Sequence, residues 1–214
     1  MMKVTSGQAM DDATRAALAS GRAEPALGLF IDSLMEMRGL SEIAAEAVPG
    51  AMLETEMLAE MSETALDQVF AAIDRAGPPI ENPFAYPELI KTPAVLVDAI
   101  RAAEARAGWK QQASGIRGLR LEVGGQARAE VLRIEAGAAT PRHTHKGQEL
   151  TLCLIGGYSD GIGAYGPGDV SIADPTITHQ PKADDDRACF VLAVTDAGLK
   201  FDGVLGAIQK LVGG

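Results

Sequence analysis

The chain has 214 residues, 47% hydrophobic and 22% charged, with a formal net charge of −10. This is the composition of a soluble globular protein, and an acidic chain repels nucleic-acid phosphate, which argues against direct DNA or RNA binding. No run approaches the ~18 apolar residues that span a bilayer. The opening Met1-Met2-Lys3-Val4-Thr5-Ser6 lacks the apolar core of a signal peptide, so the expected location is the cytoplasm with no membrane association.

Residues 8–76 read as helical, being rich in Ala, Leu, Met and Glu. Leu27, Phe30, Ile31, Leu34 and Met37 recur at helical spacing. Further helices are expected near Leu40–Val48, near Met52–Met61, and over Glu63–Ala76 behind Ser62 as N-cap, with Leu66, Val69, Phe70 and Ile73 as its apolar stripe. Residues 1–76 carry 13 Asp/Glu against 5 Lys/Arg, a balance of −8. Most of that charge is expected on solvated helix faces, though it also suits a basic protein partner.

Residues 77–93 hold five of the chain's eleven prolines and read as a semi-rigid linker. Thr92-Pro93 opens one more expected helix, running to about Arg106. From about Gly115 the pattern becomes strand-like. The candidates are Ile116–Val123, Ala129–Ile134, Glu149–Ile155, Gly161–Ala164, Gly168–Ala173 and Arg187–Thr195, with Gly and Pro between them. Many short strands at such intervals imply an all-β barrel or sandwich. The expected organisation is thus α+β in two domains: a small N-terminal helical bundle over 1–76, a Pro-rich linker with a helix over 77–108, and a β domain over 109–214.

All three histidines, His143, His145 and His179, lie in the β half. The run from Gly137 to Gly156 has the spacing G-x5-H-x-H-x3-E-x6-G, with Glu149 as the carboxylate. Two histidines two apart on a strand share a face, and Gly147 would permit a turn that returns Glu149 to them. Three imidazoles and a carboxylate suit zinc, and equally iron, manganese or nickel with open water positions. A purely protein-ligated site favours zinc. Cys153 and Cys189 are too few for a disulfide framework. They read as buried free thiols, with redox sensing as the alternative if Cys153 shares the face of Glu149 and Thr151.

The spacing resembles the first motif of the cupin β-barrels, which implies a jelly-roll barrel with His143, His145, Glu149 and His179 as ligands of one divalent metal. The second motif is irregular: Gly168 to His179 lacks the middle glycine and shifts the proline. Three segments extend the resemblance to the ChrR-type regulators: Glu149-Leu-Thr-Leu, Gly168 through His179-Gln180-Pro181, and Leu192 through Phe201. These are anti-sigma factors with a helical N-terminal domain ahead of a cupin. The segment Glu46-Ala-Val-Pro-Gly50-Ala-Met-Leu-Glu54 is similar to a turn of that helical domain. That domain usually binds zinc through a His-x3-Cys-x2-Cys motif and another histidine, yet residues 1–142 contain neither His nor Cys.

The resemblance implies a regulator in which the metal-bound cupin senses a small molecule or oxidant and the helices bind an alternative sigma factor without zinc. The competing function is a cupin metalloenzyme, dioxygenase- or hydrolase-like. Tyr158 and Tyr165 are its only candidate acids, and Arg142 and Lys146 would bind an anionic substrate. A third reading has the helices serving homodimerisation through Leu27, Phe30, Leu34 and Met37.

Overall fold

The computed structural model describes residues 16, 19–39 and 84–196. The helices expected near 40–48, 52–61 and 63–76, and the last segment of the ChrR resemblance beyond residue 196, lie outside those residues.

Among the described residues, a helical stretch ending at residue 21, two further α-helices and one short 3-10 turn precede the strands. Helix α1 spans Pro25–Met37 and starts with proline, whose fixed φ suits the first helical turn. Leu27, Phe30, Ile31 and Leu34 are fully or almost fully buried. The stripe read from the sequence is therefore core, which rules out the exposed dimer surface for these residues. Ser33, inside the same buried face, satisfies its hydroxyl on the Leu29 carbonyl one turn back (2.7 Å).

Pro87–Lys91 forms the 3-10 turn, and it puts Leu89 in the core beside Phe84. The Pro-rich stretch is thus partly built into the fold. Helix α2, Ala94–Arg106, begins just after Pro93. Its first N–H groups have no local cap. Instead the Glu36 carboxylate on α1 accepts from Ala94 N (2.6 Å) and Val95 N (3.4 Å), which satisfies orphan donors and sets a negative charge at the helix start.

Eleven strands follow among the described residues: β1 Lys110–Ala113, β2 Ile116–Leu121, β3 Arg128–Ile134, β4 His143–Thr144, β5 Glu149–Ile155, β6 Tyr158–Ser159, β7 Ala164–Tyr165, β8 Val170–Ala173, β9 Thr178–His179, β10 Lys182–Ala183 and β11 Cys189–Thr195. An antiparallel six-stranded sheet has the order β1-β2-β3-β11-β5-β8, beside a three-stranded sheet β10-β6-β7 and a two-stranded pair β4-β9. The candidate strand Gly161–Ala164 is instead mostly the turn between β6 and β7. The two-residue strands β4, β9 and β10 were too short to give any periodicity.

Side chains alternate across the large sheet. Leu119, Leu121, Val131, Leu150, Leu152, Phe190, Leu192 and Val194 share one core with α1 and α2. The other face carries Ile116, Ile134, Cys153, Cys189 and Val191, packed with Tyr158 and Ala183 from the small sheet. Ile116 and Leu119, three residues apart on β2, fall on opposite faces. The face away from the helices, hereafter the inner face, carries the candidate site.

Candidate metal centre

The β4–β9 pair sets His143 directly opposite His179. His145 follows two residues after His143, and the three rings lie with centroids 4.7–5.1 Å apart. One ligand nitrogen from each histidine lies within 4.8 Å of the others. Glu149 enters from the start of β5, with Oε2 3.6 Å from His145 Nδ1. A cavity of about 70 Å³ is lined by His143, Glu149, Thr151, Tyr158, Ser171 and His179 among others.

Gly147 lets the chain pass between the histidines and Glu149, for a different reason from the one its motif suggested. It does not adopt a positive φ. A Cβ there would sit 1.8 Å from Asp196 Oδ1, the atom that accepts the Gln148 N–H at 2.8 Å. Close approach, not backbone freedom, favours glycine here, since a Cβ would have to displace the Asp196 carboxylate from its bond to Gln148.

The hydrogen bonds around the rings orient them. Pro141 O can only accept, so His143 Nδ1, 2.8 Å away, donates to it and leaves Nε2 as the donor atom for a ligand bond. His179 Nδ1 lies 3.4 Å from Asp160 Oδ2, and both side chains are almost fully buried. A carboxylate holding one ring nitrogen while the other faces the site is the usual support of a metal-bound histidine. Asp160 is fixed in turn by Oδ1, which accepts the N–H groups of Ile162 and Gly163, both at 2.9 Å. The sequence had not singled out Asp160. Its only signal was the Asp-Gly pair, which reads as a turn.

With the Asp160 bond in place, His179 Nε2 presents its lone pair to His145 Nε2 at 2.9 Å, so either a proton on His145 Nε2 or a cation belongs between them. Burial, helped by repulsion from His143, lowers the pKa of His145 and so favours its neutral, ligating form. Burial pushes the Glu149 carboxyl upward, opposed by the Thr151 hydroxyl and by His143 and His179. A divalent cation would reverse that cost by compensating the carboxylate. The three histidine nitrogens therefore fit a metal, while Glu149 stands beside His145 outside the group whose donor atoms all lie within 4.8 Å of one another.

The remaining candidates separate. The Tyr158 hydroxyl bonds Ser171 Oγ at 2.8 Å, its ring stacks on Tyr165, and burial pushes its pKa up, so it is a poor acid near neutrality. Burial also raises Tyr165. Arg142 lines a different recess, with Asp160 and Lys182, and Lys146 is exposed. Cys153 does lie on the inner face with Cys189, and both are buried. Contact with Cys189, then burial, pushes the Cys153 thiol up, away from the reactive thiolate.

Residues 98–197 match the family model of the ChrR cupin-like domain. Over 200 residues the chain is 34% identical to the anti-sigma-E factor ChrR of Cereibacter sphaeroides, covering 92% of this chain and 92% of that protein. The chain belongs to the ChrR family. The crystal structure of Rhodobacter sphaeroides SigE in complex with the anti-sigma ChrR matches with a TM-score of 0.57 and 28% identity, over 89% of this chain and 99% of that chain. Family membership makes the antiparallel sheets a cupin-like fold. No helix among the described residues is long and apolar enough to cross a membrane.

Proposed function

We propose that this protein is an anti-sigma regulator. A helical unit within residues 1–76 captures an alternative sigma factor, and the cupin-like domain of residues 109–214 carries a divalent metal and receives a small-molecule or oxidant signal. The observation that carries this reading is the end-to-end likeness to ChrR, helical half included. The acidic balance of residues 1–76 suits a basic partner surface.

Capture here takes place without zinc in the helical half. Residues 1–142 contain no histidine or cysteine, so the thiolate and imidazole ligands of a structural zinc site are absent there. Apolar packing and charge must hold the partner instead. In the cupin-like half His143, His145, His179 and Glu149 would hold the metal, zinc in the first instance. A bound divalent ion supplies Lewis acidity and a fixed positive charge. Asp160 and Pro141 hold two of the rings in their ligating orientation.

Co-purification of the tagged chain with each alternative sigma factor of its source organism tests the reading, in buffer with and without a zinc chelator. One sigma factor is expected to be retained, and a chelator that strips only the cupin site should leave the complex intact. Retention of none of them would overturn the reading.

A further inference from the structure

A second, larger cavity of about 410 Å³ opens beside the histidine cluster and shares Thr140, His143 and Glu149 with it. Its wall includes Arg120 from β2 and Arg128 and Glu130 from β3, with Ile116 of β2, Leu132 of β3 (shared with the smaller cavity) and Ala193 of β11 as apolar surface. Strand register sets this arrangement. Glu149 is opposite Thr195, Thr195 is opposite Arg128, and Arg120 is opposite Glu130. Arg128 therefore stands two strands from Glu149, about 10 Å at the usual strand spacing.

Several features of this wall point to an anionic ligand. Neither arginine has a carboxylate within 4 Å among the described residues, although the charge of Arg120 acts on Glu130 opposite it. The neighbouring Glu130 is engaged by the Gln112 amide. The volume lies in the range of small-molecule sites.

We propose that this cavity binds a small organic monocarboxylate with an apolar body. Arg120 and Arg128 hold the carboxylate, and the body lies over Ile116, Leu132 and Ala193 toward the histidine cluster. Guanidinium groups match a carboxylate through parallel N–H donors. A single negative charge fits better than a phosphate dianion, because Glu130 and Glu149 also line the cavity. An inorganic anion would leave the apolar wall unused. This deepens the sensing half of the proposed function and does not depend on sigma-factor capture.

Calorimetric titration of the full-length, zinc-loaded protein tests it, with octanoate as probe and methyl octanoate and inorganic phosphate as comparators. Octanoate is expected to bind saturably. The double substitution Arg120→Gln/Arg128→Gln should weaken it at least about tenfold, as loss of charge-assisted hydrogen bonds requires, with zinc content unchanged. Arg128→Lys should recover part of the affinity and guards against a folding defect. Three results would each overturn the proposal: no saturable octanoate binding, equal binding by the double variant, or phosphate binding as tight as octanoate. Sigma-factor retention measured on the same preparations keeps the two readings separate. Capture without carboxylate binding sinks only this inference, and carboxylate binding without capture sinks only the other.

Discussion

The His179 ring depends on Asp160 for its orientation, and the consequence is testable one atom at a time. Asp160→Asn keeps an acceptor for the Ile162 and Gly163 N–H groups but removes the charge beside His179 Nδ1. Zinc affinity should fall about 10- to 100-fold, the usual cost of losing such a partner. Competition with a chromophoric chelator measures it, and an unchanged far-UV spectrum shows that the fold survives. Glu149 gives a prediction of opposite sign for stability. Its folded carboxyl is raised by burial, so its contribution to metal-free stability is fully present below the ordinary carboxylate value and is lost as pH rises through the raised one. Glu149→Gln should therefore raise the melting temperature of the metal-free protein at neutral pH while weakening zinc binding. The gain should vanish at acid pH, where both side chains are neutral; a gain that persisted there would reject burial of charge as its cause.

At the scale of elements, Glu36 adds a polar contact to the apolar packing between the two helices. It is the only side chain hydrogen-bonded to the first N–H groups of α2 among the described residues. Loss of a helix-capping side chain costs about 0.5–2 kcal/mol. Glu36→Ala should lower stability within that range in urea titration, and Glu36→Gln, which keeps an acceptor, should lose less. A second tie runs between Arg38, just after α1, and the β7–β8 turn, through the Gly168 carbonyl (3.0 Å) and Asp169 (3.6 Å). The turns of the sheet and the end of α1 are thus linked by polar contacts as well as apolar ones.

Across the whole molecule, α1 and the large sheet share one hydrophobic core. Trp109, the chain's single tryptophan, reports on that core from the sheet side, where it packs edge-on against Tyr86 and Phe190. Leu34→Ala on α1 should cost about 2–5 kcal/mol, the range for deleting a buried leucine. If helix and sheet unfold together, the Trp109 fluorescence midpoint will move with it, and an unmoved midpoint would show that they unfold separately. Removing bound metal acts on the same equilibrium by mass action. Added zinc should raise the melting temperature of the chelated protein in proportion to the logarithm of its free concentration above the dissociation constant. A triple His143→Ala/His145→Ala/His179→Ala variant should show no such rise.

Much of this was legible from residue order alone, because the signals were local. The apolar spacing of Leu27 to Leu34 identified a helix, Thr92-Pro93 announced α2, and the run Glu149–Ile155 was read with the bounds that β5 has. The His-x-His-x3-Glu spacing singled out the candidate metal residues, and the lack of His and Cys before residue 143 excluded a zinc site of the usual family type in the helical half. What escaped was set by contacts distant in sequence. Asp160 reaches His179 across 19 residues, and the Asp196 carboxylate closes on Gly147 across 49. Arg120 and Arg128 share a cavity with Glu149 only because β11 lies between β3 and β5. By itself the sequence determined which residue types could hold a metal and where α1, α2 and the main strands lie, since spacing and composition act within a few residues. The tertiary structure decided which carboxylate steadies which ring, which face each strand turns inward, and which arginines meet in a cavity, because strand pairing sets those distances.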